Sequence, residues 1–125
     1  MLRVTLDEEN SIAILEPQGA LSKDDFVLAA EVIDPFIEKG GILQGIIIYV
    51  KDFSGWDSFK ALLKHFEFVK EHHKKVAHVA FVTDSLVGEF AEHIGRHFVQ
   101  AEVKNFSFDA LEEAKQWIQG NKKNV

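Results

Sequence analysis

Asp52, Asp57 and Asp84 follow apolar runs that read as strands, which puts three carboxylates at or just beyond strand ends, where open α/β sheets gather ligands. Helix capping explains Asp57, and in the same way Asp84, more simply, and no base or metal partner accompanies them in sequence. His93 and His97 stand four apart with Glu89 one turn earlier, a spacing that can chelate a divalent cation. Leu86, Phe90, Ile94 and Phe98 claim the inward side of that helix, so the histidines face solvent and lack a third strong ligand; adventitious zinc or nickel is the most they support. His65, His72 and His73 carry no stronger signal. Ser54 and Ser58 lie near a helix start, an end that favours added negative charge, and Ser58 is the candidate phosphosite. The chain has no Gly-x-Ser-x-Gly elbow, no Gly-x-x-x-x-Gly-Lys loop and no Gly-x-Gly-x-x-Gly fingerprint. The residues therefore read as non-enzymatic, with no cofactor and no built metal site.

The richest feature is apolar. Trp56, Phe59, Leu63 and Phe66 form one stripe of a helix while Phe68 projects to its side, giving that helix more apolar surface than one sheet face needs. Core packing accounts for Phe59, Leu62, Phe66 and Val69; Trp56 and Phe68 are the surplus. A groove between this helix, the next and the sheet would be lined by Trp56, Phe59, Leu63, Phe66, Phe90, Ile94 and Phe98. Lys70, Lys74 and Lys75, with His72 and His73, cluster at the helix's end, either opposing its dipole or, beside Phe68, meeting anionic headgroups.

These positions must be held by a single domain. The chain has 125 residues, 46% of them hydrophobic, with eleven Phe and two Trp, enough for one core. The absence of Cys excludes disulfides, zinc thiolates and thiol nucleophiles and fits a reducing compartment, so the expected location is cytoplasmic or peripheral to the inner face of the membrane. The residues after Met1 lack a basic region followed by a long apolar stretch, so no signal peptide is expected, and the longest apolar run, Ile46 to Val50, is far below the roughly 20 residues of a membrane span. A net charge of −6 opposes nonspecific attraction to phosphate backbones, so nucleic acid is not an expected partner.

Leu2, Val4 and Leu6 alternate with polar residues, and Ile12, Ile14 and Leu15 follow a polar turn, which predicts a two-stranded hairpin. Ser22 caps a helix through Phe26, Ala29, Ala30, Ile33 and Ile37; Pro35 predicts a kink or two short pieces, ending at Gly40-Gly41. The run from Ile42 to Val50 predicts a central strand buried on both faces. Ser54 or Asp57 caps a second helix. Val76 to Val82 reads as the next strand, Leu86 to Phe98 as a third helix and Glu102 to Phe108 as the fifth strand. Asp109 then caps a last helix with Leu111, Ala114, Trp117 and Ile118 inward. The expectation is an α/β domain over residues 1–120 with a mixed sheet of about five strands and about four helices in the order β-β-α-β-α-β-α-β-α, and a flexible tail at 121–125.

That order, with three segments, resembles the SpoIIAA-like family, distant relatives of the STAS anti-sigma-factor antagonists. The segments are Asp52-Phe53-Ser54-Gly55-Trp56-Asp57, Lys75 to Asp84, and Ala101 to Phe106 with Leu111 to Ile118. The resemblance implies a STAS-like fold, a likeness to CRAL-TRIO lipid carriers and a role in membrane association or hydrophobic ligand binding. Where STAS antagonists place a phosphorylatable Ser at the start of the second helix, the matching stretch is Asp57-Ser58-Phe59-Lys60, and Phe59 occupies the switch position. Partner switching by that chemistry is therefore not expected.

Two readings remain. The leading one is a non-enzymatic module for an apolar small molecule or lipid, with peripheral membrane association. The alternative is a STAS-type interaction module working through a homodimer or a protein partner, without the phosphoserine switch. An enzyme using the strand-end carboxylates would need an acidic pair of perturbed pKa in a real pocket.

Overall fold

The computed structural model describes residues 1–18, 23–40, 43–51, 77–84 and 102–120. Alternation of apolar and polar residues makes β1 (Leu2–Asp7), and β2 (Ile12–Pro17) returns antiparallel to it, with Val4 opposite Leu15 and Leu6 opposite Ala13. The turn between them is closed by Asp7, whose carboxylate accepts hydrogen bonds from the Asn10 backbone N–H at 3.2 Å and side-chain amide at 2.9 Å. Ser11 completes it in the left-handed region, φ 59°, and its carbonyl accepts the N–H groups of Gln44 at 2.8 Å and Gly45 at 3.3 Å. One left-handed residue thus ties the hairpin to the strand that comes next in space.

Helix α1 (Lys23–Gly40) carries Asp24 and Asp25 in its first turn, where they oppose the positive helix end. It is one continuous span with Pro35 inside it, so of the kink or two short pieces expected there the second does not occur. A proline deletes one helical hydrogen bond, at about 3 kcal/mol, and leaves the flanking turns free to pack; here Ile33 is buried and the helix lies against β1.

Strands β3 (Gly45–Tyr49), β4 (His78–Val82) and β5 (Glu102–Phe106) extend the sheet in parallel, so the order across it is β1-β2-β3-β4-β5. The continuous apolar run at Ile46, Ile47 and Ile48 is the mark of a strand covered on both faces, and all three are buried. Ala13, Ile46 and Val79 make one cross-strand row, and Leu15, Ile48 and Phe81 the next, on one face. Ile12, Ile14, Ile47, Ala80 and Val82 occupy the opposite face under helix α2 (Leu111–Gly120).

α2 closes that face as its spacing predicts: Ala114 and Ile118 enter the core, with Leu111 and Trp117 packed at its margin. Full burial of a side chain such as Ile118 stabilises by about 1.5–3 kcal/mol. Gly45 lies directly beneath it, and a Cβ there would come 2.8 Å from Ile118 Cγ2. A 3-10 turn, Phe108–Ala110, leads into α2, and the residue at its cap position is Ser107, with no side-chain cap bond, rather than Asp109. The fifth strand accordingly ends at Phe106, and Phe108 belongs to the turn. Of the four expected helices, α1 and α2 are among the described residues; the other two fall in segments outside them, as does the tail at 121–125.

Candidate functional site

The carboxyl ends of β3, β4 and β5 are zipped together. Val50 N–H donates to Val82 O at 3.2 Å, Thr83 N–H to Phe106 O at 2.9 Å and Asp84 N–H to Lys51 O at 3.1 Å. The Thr83 hydroxyl adds a bond to Lys51 O at 3.3 Å, and the Tyr49 and Phe108 rings stack with centroids 4.6 Å apart. Asp84 Oδ1 accepts the Phe108 N–H at 3.1 Å. Asp84 therefore caps the turn entering α2, 24 positions downstream; the helix expected to follow it in sequence lies outside the described residues. A carboxylate engaged in this way braces a corner. Asp52 and Asp57, its companions in the strand-end reading, lie outside the described residues.

A second constellation stands at the other end of β4. His78 is fully buried in an apolar strand, its Nδ1 2.7 Å from Gln44 O, so Nδ1–H donates to that carbonyl. Nε2 has no hydrogen-bond partner among the described residues, and Glu102 Oε2 stands 3.5 Å from it on the neighbouring strand. The Trp117 ring meets the imidazole edge-on at 5.1 Å, while Lys104 Nζ lies 5.2 Å from the Phe106 ring centroid and 5.9 Å from that of Trp117. Strand register explains the group: His78 pairs with Glu102, Ala80 with Lys104 and Val82 with Phe106, so every second residue of β5 faces α2. These residues lock α2 onto the sheet. The signal for this role in the sequence is a lone His in a buried strand and a Trp in the last helix, and only packing joins them.

A third feature is the outward side of α1. Among the described residues the large hydrophobic side chains left exposed are Met1, Val27, Leu28 and Val32, and three of these four lie on this helix.

Trp56, Phe59, Leu63, Phe66, Phe90, Ile94 and Phe98 of the apolar groove, Phe68, Lys70, Lys74 and Lys75 of the membrane patch, and the phosphosite Ser58 all lie outside the described residues, as do His93 and His97. Among the described residues no group of three His, Asp or Glu side chains is placed to hold a metal, and no helix is long and apolar enough to cross a membrane.

No curated protein and no solved structure matches the chain. The SpoIIAA-like family does, over residues 12–119. That span starts at the first residue of β2 and ends one residue before the end of α2, so it takes in the parallel sheet, α1 and the closing helix. With a five-stranded mixed sheet in sequential order and a carboxyl-terminal helix sealing one face, the chain belongs to the SpoIIAA-like family and is of STAS type.

Proposed function

We propose that this chain is a regulatory interaction module that acts by docking a protein partner or a second copy of itself, without chemistry of its own and without a phosphoserine switch. The family match over residues 12–119 is the observation that carries the reading. Two further points support it. The polar side chains buried in the described part, Gln44, His78 and Thr83, sit at strand ends, and His78 and Thr83 bond to backbone carbonyls there. Phe59 stands at the position where STAS antagonists carry the phosphorylatable Ser, which supports docking without that switch.

Crosslinking in cells followed by mass spectrometry tests the proposal. Intermolecular crosslinks from this chain to a second copy or to another protein are expected. Their absence, with a lipid copurifying at one per chain in native mass spectrometry, would replace this reading with that of a lipid carrier built on Trp56, Phe59, Leu63 and Phe66. Trp56→Ala and Phe68→Asp separate the two further, since an interaction role makes them shift oligomeric state in light scattering while lipid content stays unchanged.

A further inference from the structure

We propose that the outer face of α1 is a docking site for a basic, amphipathic helix of a partner protein; this rests on the interaction reading and names its surface. Scattered exposed apolar residues are ordinary on any protein. Leu28, 60% exposed, Val32, 42% exposed, and the exposed Pro35 form a row at the i, i+4, i+7 spacing of one helix face, while Val27, 48% exposed, stands beyond Glu31 and Glu38. The buried Ile33 points the opposite way, into the fold.

Charge selects the occupant. Asp24, Glu31 and Glu38, all exposed, recur every seven residues and form a row alongside the apolar one, with Asp34 on the same flank. Lys39 stands at the far end of the apolar row, and Asp25, on the other flank, meets the amino-terminal ammonium at 3.6 Å. A second copy fits poorly: two-fold antiparallel pairing of this face sets each acidic row against its own duplicate, on chains that each carry −6. An anionic bilayer is repelled for the same reason. A helix with apolar residues at matching spacing and a Lys or Arg row beside them satisfies both strips at once, by helix-on-helix packing and paired rim charges.

The probe is a fluorescein-labelled peptide of the length of α1, 18 residues, with Leu at i, i+4, i+7 and i+11 and Lys on the adjoining row, titrated against the full chain by anisotropy. Saturable binding that weakens as salt rises is expected, with nitrogen-15 amide shifts confined to α1. Replacing the peptide's Lys by Glu abolishes it. Leu28→Ser with Val32→Ser, and separately Asp24→Lys with Glu31→Lys and Glu38→Lys, weaken it by about tenfold or more, circular dichroism confirming the fold of each variant. Equal affinity of the Leu28/Val32 variant, amide shifts elsewhere, sedimentation on phosphatidylserine vesicles through this face, or a dimer dissociated by Leu28→Asp would each overturn the proposal. Crosslinks that map to other surfaces while the peptide fails to bind would sink the α1 site and leave the interaction reading standing; no intermolecular crosslink at all would sink both.

Discussion

Ser11 shows how much one dihedral can decide. Its left-handed backbone turns a carbonyl toward Gln44 and Gly45 and so aligns β2 with β3. A β-branched side chain is strained there, and glycine is not. Ser11→Val is expected to destabilise by about 1–2 kcal/mol in urea unfolding, with Ser11→Gly within about 0.5 kcal/mol of the parent; equal losses would remove the dihedral from the account. Asp7 acts in the same turn. Its hydrogen bond from the Asn10 side chain holds its carboxyl below the usual carboxylate range, with burial acting in the opposite direction. A carboxyl whose folded pKa is depressed adds stability above its unfolded pKa and loses it as pH falls through the folded one. Stability should therefore decline below about pH 4, and Asn10→Ala should flatten that decline while lowering stability at neutral pH by a few tenths of a kcal/mol, the group being largely exposed. Urea midpoints between pH 2 and 7 read both effects, on the order of the scale where carboxylates titrate.

At the scale of elements, α2 and the sheet are fitted to one another through Gly45 and Ile118. A methyl group at position 45 meets the fully buried Ile118 side chain, which must shift to admit it. Gly45→Ala should cost about 1–3 kcal/mol by overpacking, and Ile118→Val in the same chain should recover part of that loss although it is destabilising alone. Additive losses in the double variant would show that the two positions do not share the strain. The same sheet face carries the interlock of His78, Glu102 and Trp117, so α2 is held at its buried stripe and again at its margin. α1 is held differently, with one side against the hairpin edge and an apolar, acid-bordered side left outward.

For the whole molecule, the choice lies between a module that meets proteins and one that meets lipid. A net charge of −6 and the acidic row on α1 oppose an anionic surface, while Lys70, Lys74 and Lys75 beside Phe68 are the residues that would favour it. The chain is expected to stay in the supernatant when sedimented with phosphatidylserine vesicles at low salt. Sedimentation abolished by Lys70→Glu with Lys74→Glu would instead restore membrane association as the function.

The elements came through the sequence because their signals are local: the alternation of Leu2, Val4 and Leu6, the run at Ile46 to Ile48 and the stripe of Leu111, Ala114, Trp117 and Ile118 each lie within one short window. The order of the described elements and the family followed from these, and of the kink or two short pieces that Pro35 suggested for α1, the two pieces are not found. The tertiary structure alone decided that Asp84 caps a turn 24 residues away, that Gly45 makes room for Ile118, that His78 meets Glu102 and Trp117, and that Leu28 and Val32 stay outside while Ile33 goes in. Periodicity counts apolar residues along a helix; which of them find a partner depends on what the rest of the chain brings to that face, and that is a property of contacts between distant segments rather than of neighbours in sequence.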